Sequence, residues 1–210
     1  MSTILLRILL VVSLLLCACN PLLAQEEEAD SSWSFSVSGS VTVTPHTDVI
    51  LSPGFSADHN WLHLETRYNY EDIRTVSFFG GYWLGAGNKL RLDAAPMLGF
   101  VMGQTNAFAP ALEFTLTYWK LNFYAEQELI INYTGKEESY LYSWNELTYE
   151  VTRNLYLGIS GQHTRLYHTA VDIQKGPMVK YLFGRFTGTL YAFNPFSSDN
   201  VFAGTISMDF

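Results

Sequence analysis

Apolar and polar positions alternate in twos along most of the chain. The stretch SWSFSVSGSVTVT puts Trp33, Phe35, Val37, Val41 and Val43 on one face and Ser34, Ser36, Ser38, Ser40, Thr42 and Thr44 on the other. Side chains along a strand alternate between its two faces, so this pattern predicts a strand with one apolar and one polar side. WLHLETRYNYE repeats it with charges: Leu62, Leu64, Thr66, Tyr68 and Tyr70 oppose His63, Glu65, Arg67, Asn69 and Glu71. A face that is polar at every position does not fit the core of a soluble sandwich. The split recurs. Leu90, Leu92, Ala94, Leu98 and Phe100 oppose Lys89, Arg91 and Asp93. Phe108, Leu112, Phe114, Leu116 and Tyr118 oppose Glu113, Thr115 and Thr117. Leu121, Phe123, Leu129 and Ile131 oppose Asn122, Glu126 and Glu128, and Leu155, Leu157 and Ile159 oppose Gly158, Ser160 and Gln162.

Two architectures use such strands. A soluble antiparallel sheet turns its apolar face to a core and its polar face to water. A membrane barrel turns its apolar face to lipid and its polar face to a lumen. Segment length favours the barrel: the alternating runs span about ten to fourteen residues, against about five or six for a mean globular strand. Tyr and Trp near expected strand ends, in RYNY, TYWK and SYLYSW, read as interfacial girdles.

The connections set the strand number. Backwards from the C-terminus, NPFSSDN (194–200) is long, GR (184–185) tight, YHTAVD (167–172) long and TRN (152–154) tight. TGKEES (134–139) is long, WK (119–120) tight, GQTN (103–106) medium, GAGN (85–88) short and EDIR (71–74) medium. Bacterial barrels have an even strand number, short periplasmic turns and longer outer loops. The expectation is therefore an all-β, antiparallel up-and-down transmembrane barrel of twelve strands, with 33–44 as the first and DVILSPGFS (48–56) as a short second. Pro53 weakens that second strand. The alternative is ten strands, with 33–44 outside the wall. Pro96 and Pro177 suggest bulges, as does an apparent change of parity between Trp144 and Leu147.

The N-terminus changes the setting. MSTILLRILLVVSLLLCACNPLLAQ carries Arg7, an apolar run too short for a bilayer span of about 20 residues, and a small-residue cut site after Ala24. It reads as a secretory signal peptide, 1–24. Acidic residues 25–32 then lead into a barrel over 33–210. Both cysteines, Cys17 and Cys19, lie in the removed part, so the mature chain has neither disulfide nor thiolate metal site. LCAC offers a second reading, a lipobox with cleavage before Cys19. The formal net charge of −8 argues against nucleic acid as a partner.

The chain ends NVFAGTISMDF, with Phe202, Ile206, Met208 and Phe210 in alternation. This resembles the C-terminal assembly signal of Gram-negative outer-membrane β-barrel proteins, which end on an aromatic residue with apolar residues alternating upstream. The resemblance covers 202–210 closely and the rest as general alternation. It implies residence in the outer membrane, with lipid and the barrel-assembly machinery as partners.

Inside such a barrel the predicted lumen-facing charges are Glu65, Arg67, Glu71, Arg91, Asp93, Glu113, Glu126, Glu128 and Lys180. With Lys89, Glu146, Glu150 and Asp209 they make an interior richer in carboxylates than in cations. A salt-bridged plug is one outcome, since buried charges must be paired. A narrow, cation-attracting pore is the other. For catalysis, SGQHTR (160–165) is the one tempting stretch, with His163 on the outward face where a lipid-active histidine would sit. Arg165 stands where a serine would be wanted, Ser160 points the other way, and the interfacial reading of His163 and Arg165 is preferred. His63, beside Glu65, has no nucleophile on its strand. No catalytic residue is assigned, and the histidines show no metal-ligand spacing. No cofactor is expected. The functional expectation is a small, cation-preferring channel or envelope-structure protein, with a lipid-modifying hydrolase as the alternative class.

Overall fold

A computed structural model describes residues 32–45, 49–134, 139–164 and 173–210. The signal segment and lead-in to residue 31 lie outside the described residues, as do the loop positions 46–48, 135–138 and 165–172. Residues 32–210 form one compact unit.

That unit is built of strands: β1 (Ser34–Val43), β2 (Ile50–His59), β3 (Leu62–Tyr68), β4 (Thr75–Tyr82), β5 (Leu84–Ala86), β6 (Leu90–Gly103), β7 (Ala107–Tyr118), β8 (Leu121–Asn132), β9 (Tyr140–Glu150), β10 (Leu155–His163), β11 (Gln174–Phe183), β12 (Phe186–Phe193) and β13 (Val201–Asp209). Neighbours in sequence pair antiparallel, and β1 pairs with β13 to bring the ends of the sheet together. β4 and β5 are one stave. Both pair with β6 in a single register, Gly81 opposite Met97 and Leu84 opposite Ala94. The gap between them faces Pro96, which has no N–H to give the ladder. Trp83 N bonds instead to the Trp61 carbonyl at 2.8 Å. The wall is thus a closed antiparallel barrel of twelve staves, which leaves no edge unpaired.

Three local expectations change. β2 is longer than expected and runs through Pro53, which lies opposite Gly39, while pairing to β3 starts at Gly54 opposite Arg67. β9 pairs in unbroken register with β8 and β10 across Trp144–Leu147, so there is no bulge there. β10 likewise pairs through Pro177, opposite Ile159. In β9 the inward face carries large side chains, Tyr140, Tyr142 and Trp144, and this had mimicked a change of parity.

The apolar faces point out. Val37, Leu51, Phe78, Leu98, Phe100, Ile159, Leu190 and Ile206 are all exposed on the outer wall. The connections alternate in length, with 60–61, 87–89, 119–120, 151–154 and 184–185 at the short-turn end. Aromatic side chains ring that end. Trp61 stacks on Tyr82 at 5.2 Å, Trp119 meets Tyr149 edge-on at 6.1 Å, and Phe183 stacks on Phe186 at 5.5 Å. Trp119 adopts positive φ in its two-residue turn, held by that ring contact and by Lys120 Nζ over its face. Of the aromatic stretches read as girdles, Tyr68, Tyr118 and Trp119 face outward, but Tyr70, Tyr140, Tyr142 and Trp144 are turned inside.

Phe202, Ile206 and Met208 lie on the outer face of β13, opposite Val43, Gly39 and Val37. Phe210 exchanges two backbone hydrogen bonds with Phe35, at 2.8 and 2.9 Å, and their rings are 5.8 Å apart. The last residue therefore finishes the seam that closes the barrel.

Candidate functional site

The interior has two unlike sides. β1, β2 and β13 present small hydroxyl side chains: Ser36, Ser38, Ser40 and Thr42, Ser52 and Ser56, then Thr205 and Ser207. Ser40 Oγ and Thr205 Oγ1 are 2.8 Å apart across the seam. A cavity of about 370 Å³ follows this wall. Its lining runs from Ser36 and Ser207, near the short-turn end, to Thr42, Asn69 and Thr164, at the long-loop end.

The opposite side is packed. Phe79, Ala95, Met97, Val101, Ala109, Ala111, Ile130 and Tyr142 of β4 and β6–β9 form a buried cluster. Arg67 projects against it from β3. Its guanidinium lies over the rings of Tyr70, at 4.5 Å, and Phe79, at 4.8 Å. It bonds Glu65 at 2.6 Å, contacts Glu126 and Glu128 directly, and stands 3.8 Å from Glu71. Arg67 is 3% exposed, Glu126 1% and Glu128 0%. Four carboxylates therefore share one guanidinium. Tyr70 Oη donates to Glu126 Oε2 at 2.9 Å. Glu113 lies opposite Glu126 across the β7–β8 ladder and adds a further acid to the cavity wall. Carboxyl groups here outnumber the one guanidinium.

Glu71 reaches this cluster from a loop. The alternation in WLHLETRYNYE suggests a strand to Glu71, but β3 stops at Tyr68, and Asn69 and Arg74 take positive φ. Residues 69–74 then fold into the barrel mouth. Ser52 Oγ donates to the Asn69 carbonyl at 2.7 Å, Tyr140 Oη to the Glu71 carbonyl at 2.7 Å, and Thr105 Oγ1 to Asp72 Oδ2 at 2.6 Å. Ile73 packs against Ile50, Met178, Tyr191, Phe193 and Val201. The loop so bridges from β3 to staves across the lumen. Burial pushes the Glu71 carboxyl up from its ordinary value, against the pull of Arg67.

The remaining charges sit apart. Arg91 and Asp93 pair with each other at 2.8 Å, largely exposed near the short-turn end. Lys180 Nζ bonds Glu146 Oε2 at 2.9 Å, and Glu146 also accepts from Tyr191 Oη at 2.6 Å and Trp144 Nε1 at 3.0 Å. On the outer face, His163 Nδ1 donates to the Leu141 carbonyl. Ser160 Oγ donates to the Asn145 carbonyl at 3.0 Å from the inner side. Arg165 lies outside the described residues. One further group was not visible as a sequence motif: His63, Glu65 and Glu113 bring one ligand atom each to within 4.8 Å of one another. Glu113 comes from a strand far along the chain, so no local spacing announces it.

A closed antiparallel barrel with an apolar outer wall, an aromatic ring and a charged interior has the architecture of Gram-negative outer-membrane β-barrel proteins, and this chain has that fold. No protein-family model and no curated protein matches it. Among solved structures it is similar to the KdgM porin. The match has a TM-score of 0.55 to the porin alone and 0.56 to the porin in complex with disordered oligogalacturonate; each has 10% identity and covers 83% of this chain and 99% of that chain. The outer membrane protein Omp33 of Acinetobacter baumannii aligns at 10% identity over 86% of this chain and 99% of that chain, with a TM-score of 0.46. At these identities the likeness is one of fold.

Proposed function

We propose that the protein is an outer-membrane channel whose narrow interior favours small cations. The observation that carries this reading is the cavity along the hydroxyl wall, with lining residues from both ends of the barrel and Glu65, Glu113, Glu126 and Glu146 among them. Hydroxyls of β1, β2 and β13 can replace part of an ion's hydration shell. Carboxylates across from them raise the local cation concentration in a low-dielectric wall. The oligogalacturonate in the KdgM complex is a polyanion. A solute of that kind would meet an acid-rich wall here, with Arg67 and Lys180 already engaged by glutamates.

Export through the 1–24 segment with cleavage after Ala24, and insertion by the barrel-assembly machinery reading Phe202, Ile206, Met208 and Phe210, complete the proposal. Outer-membrane lipid then solvates the exposed apolar wall. The test is conductance of the refolded mature barrel in a planar bilayer under a salt gradient. The expected result is small single-channel steps with a reversal potential on the cation side. Anion preference would overturn the charge assignment, and a silent, correctly folded barrel would overturn the channel.

A further inference from the structure

His63 projects from β3 into the barrel, and only 4% of the residue is exposed. Its Nδ1 is 2.7 Å from Asp58 Oδ1, so that nitrogen carries a hydrogen and donates it. Trp83 Nε1 donates to the same oxygen at 2.6 Å, and the indole stands edge-on to the imidazole at 5.3 Å. The ring is thus fixed in position. Its other nitrogen, Nε2, is buried and makes no hydrogen bond. Glu65 Oε2 stands 3.7 Å away, beyond hydrogen-bond range, and Glu113 completes a group whose ligand atoms lie within 4.8 Å. A buried ring nitrogen without a partner is costly unless something else occupies it.

We propose that His63 Nε2, Glu65 and Glu113 bind one divalent transition-metal ion of the zinc type. Asp58 stands behind the imidazole as a carboxylate stands behind a metal-bound histidine, fixing tautomer and orientation. Arg67 Nη2, at 2.6 Å from Glu65, orients the second ligand in the same way. Three protein ligands leave positions open toward the cavity that Glu65 and Glu113 line, which gives the ion its path of entry. Zinc–ligand distances of about 2.0–2.2 Å require the donors to draw together. Glu113 stands on the cavity wall. Two carboxylate ligands match the charge of the ion. An imidazole in the donor set selects zinc, copper or nickel over magnesium and calcium.

This inference does not depend on conduction, and its readout is binding. The refolded mature protein, stripped with chelator, is titrated calorimetrically with zinc chloride in excess magnesium. One equivalent per chain is expected. Glu113→Gln and Asp58→Asn should each weaken uptake by roughly 10–100-fold, while His59→Gln, at the end of β2, leaves it unchanged. His63→Gln should abolish it, with folding checked by heat-modifiable migration on gels. Because that variant removes a buried ring, nitrogen NMR of the wild type reads the site directly: zinc should move the His63 Nε2 resonance and leave the Nδ1 hydrogen in place. Absence of saturable uptake by folded wild type, uptake that survives both Glu113→Gln and His63→Gln, or an Nε2 resonance that ignores zinc would each overturn the site.

Discussion

The two sides of the barrel interior belong to one continuous antiparallel ladder, yet one is open and the other solid. On β1 and β13 the inward positions are Ser36, Ser38, Ser40, Thr205 and Ser207, too short to reach the barrel axis. On β6–β9 they include Ala, Met, Tyr, Trp and Glu, and these pack with Phe79 of the neighbouring β4 and Arg67 of β3. Side-chain length on the inward face thus decides where the lumen is. The backbone does not, since the registers are continuous all the way round. The comparison also separates two kinds of polarity. The hydroxyls of the open wall can exchange partners with water, whereas the charges of the packed side are buried and bound to one another.

The strongest way to break this contrast is to remove the charge that binds the packed side. Arg67→Gln leaves Glu126 and Glu128 buried without their cation. Losing one member of a buried ionic network costs roughly 3–5 kcal/mol, so this variant should yield little folded barrel by heat-modifiable migration. Ser40→Ala on the open wall removes one hydroxyl contact, worth about 1 kcal/mol at most, and should fold as wild type. Equal losses in the two variants would mean that the sides do not differ as described.

Next in size is an exchange of character. Ser38→Trp places a large ring on the open wall, inside the cavity. Filling the lumen this way should lower single-channel conductance by about tenfold and leave the amount of inserted barrel unchanged. Undiminished conductance in Ser38→Trp would place the ion path elsewhere.

The staves and their outward faces were legible in sequence because lipid and lumen impose the sharpest polarity contrast a strand can show. Leu90–Leu92 against Arg91–Asp93 admits one reading, and the alternating loop lengths, with the even strand number of bacterial barrels, favoured twelve staves over ten. The interior was less legible for a physical reason: who meets whom across a lumen depends on closure, which no local pattern encodes. Arg67 meeting Glu126 and Glu128, and Glu113 approaching His63, join strands far apart in the chain. Tyr140, Tyr142 and Trp144 misled because an aromatic near a strand end suits both an interfacial ring and a core. The strand itself ends earlier than the alternation suggested, at Tyr68, because positive φ at Asn69 turns the chain, and Glu71 faces inward from a loop.

A smaller effect sharpens the electrostatic half of the comparison. Glu126 and Glu128 lie two apart on β8, both facing inward, opposite Trp144 and Tyr142 of β9. The double change Glu126→Gln, Glu128→Gln leaves Glu65 and Glu71 to Arg67 and so keeps the cation paired. Their field reaches the cavity through a low-dielectric wall, so the cation-to-anion permeability ratio should fall by about half. An unchanged reversal potential would assign selectivity to the remaining acids, Glu65, Glu113 and Glu146.

The smallest effect belongs to the loop that spans the two sides. Glu71 is fully buried in residues 69–74, and its carboxyl oxygens make no hydrogen bond. Its folded-state pKa is raised above the ordinary value of 4.5 by burial. The folded protein therefore holds the proton more tightly than the unfolded chain. Stability from this group is fully present below the unfolded value and is lost as pH rises through the raised folded value. Glu71→Gln removes the titration and keeps the shape. At neutral pH the variant should melt above wild type. Below the ordinary glutamate range the two melting temperatures should converge. Amide exchange over residues 69–74 should follow the same course, slower in the variant at neutral pH and equal in acid. A variant that melts below wild type at neutral pH would show that the Glu71 charge is needed by Arg67, and that the loop is tied to the packed side by an ion pair rather than by its buried backbone bonds.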